Sequence, residues 1–241
     1  MFNTSEFIIL AFIICLAYVV RGITGFGSAL IAVPLLAFFM PLSTVVPMIV
    51  LLDYLASLSH GLHHRQHIQW SLVLPLLPFS LMGIALALYL LGTLELGLLK
   101  QALGVFVISY GIYSLLINAP HQHRNRLWAI PAGSFGGLIG ALFGTGGPFY
   151  VIYLQLQGLD KTAFRATVAS IFLIDGGMRL AGYTVSGFYS KDTLMLAAIA
   201  LPIMFTALYL GGHIHTNLKP TIFRKAIAVL LIGSGFGLLL N

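Results

Sequence analysis

Long apolar stretches set the solvent in which this chain must fold. Ile68–Leu91, Leu96–Ile117, Thr193–Gly211 and Pro220–Leu240 each approach the length a helix needs to cross a bilayer, ~20 residues at a rise of ~1.5 Å. Charged residues make up only 7% of the chain and hydrophobic residues 59%. A soluble domain carries roughly a quarter charged residues to cover its surface. The sequence therefore reads as an all-α polytopic membrane protein, with the lipid bilayer as its main partner. Its net charge of +6 belongs to short loops, where Lys and Arg set membrane orientation; no nucleic-acid partner is expected. The N-terminus lacks a basic n-region and carries Glu6, unlike a cleaved signal peptide. One cysteine, Cys15, excludes an internal disulfide.

The chain resembles itself. Gly25 and Gly27 match Gly144 and Gly146 at offset 119, Asp53 matches Asp175 at 122, and Pro78 matches Pro202 at 124. Lys100, Ala102, Ile108, Gly111 and Leu115 match Arg224, Ala226, Ile232, Gly235 and Leu239 at that last offset. The drift in one direction fits a few extra loop residues in the second half. Residues 1–120 and 121–241 thus read as two transmembrane repeats of about four to five membrane segments, together forming one domain. Such repeats are typical of secondary transporters.

Loop charges orient the repeats. If each half crosses four times with a kinked first helix, Arg65, Arg124, Arg126 and Lys191 oppose Lys100, Lys161, Arg165, Lys219, Arg224 and Lys225, with little bias. If each glycine-broken segment instead folds back as a hairpin, only Lys100 and Lys191 oppose the other eight. That asymmetry is what the positive-inside rule expects. Length agrees, because Ser28–Met40 holds 13 residues, ~20 Å of helix against a ~30 Å core. The expectation is two inverted repeats in a bacterial inner membrane, each opening with a broken hairpin, and both termini periplasmic.

The breaks read Arg21-Gly22-Ile23-Thr24-Gly25-Phe26-Gly27-Ser28 and Gly140-Ala141-Leu142-Phe143-Gly144-Thr145-Gly146-Gly147-Pro148. Glycine clusters favour a turn over a continuous helix, and Pro148 suits a first helical turn. Non-helical backbone at membrane depth survives where protein or a wet cavity satisfies it. With inverted repeats, helices starting near Ser28 and Pro148 direct their N-terminal ends at one spot, an arrangement that favours an anion. Arg21, Thr24, Gly25, Gly27, Ser28, Gly144, Thr145, Gly146 and Gly147 are the candidate substrate-binding residues.

Arg21, Asp53, Asp175 and Arg179 are ionisable groups inside apolar segments, costly in hydrocarbon and hence functional candidates. Asp53, Ser57 and His60 share a helix face. Asp175 and Arg179 stand at i, i+4 and can pair. A carboxylate buried at Asp53 could carry a coupling proton. His63, His64 and His67, His121 and His123, and His213 and His215 cluster in loops. They read as solvated basic segments rather than a metal site, and no metal or cofactor is expected. No G-x-x-x-x-G-K-[ST] loop is present, which excludes an ATPase.

The placed glycines, Gly22 to Ser28 with Val33-Pro34 and Gly136-Gly137-Leu138-Ile139-Gly140 running into Gly144 to Pro148, resemble the TauE/SafE family of sulfite and organosulfonate exporters. The resemblance covers essentially the whole chain. Where many members have adjacent glycines at the first break, Phe26 and Ser28 interrupt the run. The resemblance implies a transporter of small anions, often sulfur-containing: sulfite, sulfonates or related organic acids. The expected function is a secondary transporter for a small anion working by alternating access, with proton coupling through Asp53, no enzymatic activity, and a homodimer permitted. The alternatives are an intramembrane serine hydrolase using Ser28 and His60, or an anion channel.

Overall fold

A computed structural model describes residues 4–60, 65–116, 125–213 and 220–240. All regular elements among them are helical. In chain order they are α1 (Thr4–Thr24), α2 (Ser28–Leu36), α3 (Leu42–His60), α4 (Trp70–Val73), α5 (Leu76–Thr93), α6 (Leu96–Leu116), α7 (Ala129–Phe143), α8 (Gly147–Leu156), α9 (Lys161–Val185), α10 (Lys191–His213) and α11 (Pro220–Leu240).

Among the described residues, five stretches are long and apolar enough to cross a membrane: Phe7–Thr24, Leu76–Thr93, Leu96–Leu116, Arg126–Phe143 and Lys191–His213. The apolar run expected over Ile68–Leu91 is divided into α4 and α5. Pro75 stands between them and has no N–H to continue the preceding turn. Membrane-length helices here leave large apolar side chains uncovered. Met82 and Tyr89 on α5 are each 67% exposed, the outward face that a lipid-facing helix presents.

The helices gather into two compact units. The first takes residues 1–49, 94–118 and 191–241; the second takes 50–93 and 119–190. These units divide the chain differently from the sequence halves, since each draws elements from both.

In the first unit α1 packs along α10 and α6 along α11. The first pair approaches so closely that a Cβ on Gly22 would lie 2.6 Å from the Leu208 carbonyl oxygen. In the second unit α5 packs along α7, and a Cβ on Gly137 would lie 2.2 Å from the Ser80 carbonyl oxygen. Lipid offers no hydrophobic drive for helices to associate, so close backbone approach at small residues is what holds such pairs. In that unit α8 and α5 both pack against α9.

Candidate functional site

A glycine break falls between two helices in each unit. In the first unit α1 ends at Thr24 and α2 starts at Ser28. Gly25 and Gly27 take φ of 85° and 95°, the left-handed region that L-residues avoid. Gly27 caps α2, and the Gly25 N–H closes back on the Arg21 carbonyl at 2.6 Å. α2 holds nine residues, ~13 Å of helix and far short of a crossing. It is shorter than the Ser28–Met40 segment read from the sequence because the chain turns at Ala37–Phe39.

Arg21 is buried at the C-terminal end of α1, and its Nη1 donates to the buried Ser28 Oγ at 3.1 Å. A cation is favourable at a helix C-terminus, where carbonyls lack partners. Thr24 is exposed and points its hydroxyl at the carbonyls of Val20 (2.9 Å) and Phe26 (2.6 Å), which turns it into the loop. These two donor choices make Thr24 a loop brace.

In the second unit Gly144 ends α7 in the left-handed region (φ 71°), and its N–H bonds the Gly140 carbonyl at 2.9 Å. α8 begins at Gly147 with Pro148 in its first turn. The chain folds back so tightly that a Cβ on Gly146 would lie 2.2 Å from the Gly136 carbonyl oxygen. Thr145 sits in this turn 2% exposed, and among the described residues its hydroxyl has no hydrogen-bond partner.

α9 brings charge to the same turn. Asp175 and Arg179 pair at 2.6 Å, Oδ2 to Nη2, one helical turn apart. Arg179 Nη1 donates to the Gly140 carbonyl at 3.0 Å. Tyr183, one turn further along α9, donates to the Ala141 carbonyl. α9 therefore gives the Gly140 carbonyl a second donor beside the Gly144 N–H and supplies a donor to the Ala141 carbonyl, one of those a helix end tends to leave open. Arg179 Nε is buried without a partner among the described residues.

Asp175 is fully buried and braced from three elements. Its Oδ1 accepts from Ser80 of α5 at 2.5 Å and from Tyr150 of α8 at 2.7 Å. Those two hydroxyls lie 3.1 Å apart. Two hydroxyl donors and the guanidinium fix the Asp175 carboxyl in place as an anchor for Arg179. Ser80, Tyr150 and Tyr183 were not singled out in the sequence. Their hydroxyls inside apolar segments were the available signal, since a buried hydroxyl needs a partner.

Asp53 lies half-buried on α3, and the Ser57 hydroxyl one turn on donates to the Asp53 carbonyl at 2.8 Å. The hydrolase alternative meets an obstacle at Ser28, whose oxygen accepts from a guanidinium. A nucleophilic serine needs a base to take its proton, not a cation on its lone pair. The His60 side chain lies outside the described residues, as do His63, His64, His121, His123 and His215. Among the described residues no three His, Cys, Asp or Glu side chains form a metal-holding group.

Residues 10–238 match the family described as sulfite exporter TauE/SafE. Two relatives match over most of their length. One is a probable inner membrane transporter protein, TsaS, of Comamonas testosteroni, 30% identical over 195 residues, 79% of this chain and 81% of the relative. The other is a probable sulfite/organosulfonate exporter, TauE, of Cupriavidus necator, 27% identical over 227 residues, 91% of this chain and 88% of the relative. No solved structure matches the chain. A helical membrane protein with two glycine-broken segments, it belongs to the TauE/SafE family of transporters, which are not enzymes.

Proposed function

We propose that this chain is a secondary transporter that carries a small sulfur oxyanion, sulfite or a sulfonate, by alternating access. The observation that carries the reading is Thr145. A buried hydroxyl without a partner costs about 1–3 kcal/mol, so a fold retains one where a ligand completes it. It stands in the turn that leads into the N-terminus of α8, where partial positive charge and open N–H groups favour an anion. The names of the relatives supply sulfur, which helix ends alone do not.

The finer reading keeps two inverted repeats, residues 1–120 and 121–241, in an inner membrane with periplasmic termini. The loop charges support it. Arg21, Ser28 and the Gly25–Gly27 backbone serve the anion at the first break, and Thr145, Gly146 and Gly147 at the second. Asp53 carries the coupling proton.

Purified protein in proteoliposomes tests this. Flux of sulfite or methanesulfonate should saturate and show counterflow with unlabelled anion. Thr145→Val, which keeps the shape and removes the hydroxyl, should raise KM about five- to tenfold, the equivalent of ~1 kcal/mol. A wild-type protein that moves neither anion would end the transporter reading. Unchanged KM in Thr145→Val would remove Thr145 from the site.

A further inference from the structure

The two breaks differ in where they carry their positive charge. At the offset that aligns Gly25 with Gly144, Arg21 aligns with Gly140 and Ser28 with Gly147. At the offset that aligns Asp53 with Asp175, Ser57 aligns with Arg179. One half therefore has arginine at the break and serine one turn beyond its aspartate. The other has glycine at the break and arginine one turn beyond.

Geometry in the second unit explains the exchange. A Cβ on Gly140 would lie 3.4 Å from Arg179 Nη1 and 3.4 Å from Gly146 Cα. A Cβ there would just touch the guanidinium, so the α9 arginine lies directly against Gly140, and a longer side chain at 140 would compete with it for the same room. Once there, Nη1 is engaged by the Gly140 carbonyl and Nη2 by Asp175, while Nε remains buried without a partner among the described residues. The hydroxyl of Thr145 is in the same condition. Asp175 Oδ2, the oxygen that faces Nη2, is likewise buried with no hydrogen bond among the described residues. The two donors left over, one on the guanidinium and one in the turn, fit a ligand with at least two acceptor oxygens, with the carboxylate on the far side of the guanidinium.

We infer that Arg179 is the anion-binding guanidinium of the second break, delivered from α9 against Gly140 and aimed there by Asp175. Its Nε and the Thr145 hydroxyl are the two donors left for the ligand, and the three oxygens of an SO3-type group can answer both. Ser80 and Tyr150 are positioning residues that act through Asp175. The inference rests on the anion-transport reading and deepens it.

Sulfite is the probe, and two readouts separate the possible failures. The first is sulfite-induced thermal stabilisation of detergent-purified protein, which needs no transport. Wild type should be stabilised. Arg179→Lys keeps the charge and a partner for Asp175 but lacks the planar fork. It should melt within a few degrees of wild type without sulfite, and its sulfite affinity should fall about tenfold or more. A charge that merely caps α7 would tolerate lysine, so equal affinity in Arg179→Lys overturns the assignment, as does no stabilisation of wild type by sulfite.

The second readout is KM in proteoliposomes for Gly140→Arg/Arg179→Ser, which copies the first half's arrangement onto the second. Recovery to within about threefold of wild-type KM is expected. A folded double variant with KM as high as Arg179→Lys overturns the exchange. Wild type that binds sulfite but does not move it would count against the transporter reading and leave Arg179 in the site.

Discussion

Arg21 Nη1 and Ser28 Oγ lie 3.1 Å apart, so the last turn of α1 is tied to the first residue of α2 across the glycine turn between them. Both side chains are buried. The serine oxygen gives a desolvated guanidinium one of its acceptors, and a bond to a charged group is worth more than a neutral one. Ser28→Ala should cost about 1–3 kcal/mol of stability, seen as a lower melting temperature in detergent, and should weaken sulfite binding at the first break. Equal melting temperatures for the two proteins would show that the tie contributes nothing.

Gly27 and Gly146 occupy matching places in the two breaks, yet the backbone needs them for different reasons. Gly27 stands at φ 95° with nothing within 4 Å of an added Cβ. Gly27→Ala therefore meets strain but no clash, at about 1–2 kcal/mol. Gly146 has no positive φ, but its Cβ would fall 2.2 Å from the Gly136 carbonyl oxygen, a backbone atom that cannot swing away. Gly146→Ala should remove most folded protein from a size-exclusion profile, while Gly27→Ala should elute as wild type with a modestly lower melting temperature. The reverse order would show that these turns are misassigned.

Much of this contrast was legible in the residues. Apolar runs with almost no charge announced membrane helices, and glycine runs followed by Ser28 or Pro148 announced where helices would break. Arg179 pairing with Asp175 followed from the spacing of one helical turn. What sequence could not convey was which helix lies beside which. Ser80 is 95 positions from Asp175, and Arg179 is 39 from Gly140. Those contacts arise from helix pairing at glycines, which carries no local signature. Likewise, the apolar run through Ile68–Leu91 hid its division at Pro75, because hydropathy is blind to a missing N–H.

Asp160 offers a pH test outside the membrane segments. It caps α9, accepting from the Thr162 and Ala163 N–H groups at 2.9 and 3.0 Å. The Ala163 bond is the chief cause holding its carboxyl below the ordinary value of 3.8. A group with a depressed folded value stabilises the fold above its unfolded value, and that contribution is lost as pH falls through the folded one. Asp160→Ala should melt below wild type near pH 7, with the gap steady down to about pH 4. Below 3.8 the gap should close. A gap independent of pH would assign the effect to the alanine and not to the charge.

Asp53 provides the test of coupling. It is half-buried on α3, whose stretch Leu42–Leu58 is apolar, and an ionisable group within an apolar segment is rare enough to call for a use. Asparagine copies the size and hydrogen bonding of the protonated acid but cannot release a proton. If Asp53 carries the proton, wild-type proteoliposomes should accumulate sulfite in response to an imposed pH gradient, and Asp53→Asn should lose that response. Exchange of sulfite for sulfite at equal pH needs no net proton movement, and should survive in the variant to within about threefold. Accumulation that follows the pH gradient equally in both proteins would exclude Asp53 as the carrier. Loss of exchange together with accumulation would place Asp53 among the residues that bind the anion or hold its helices.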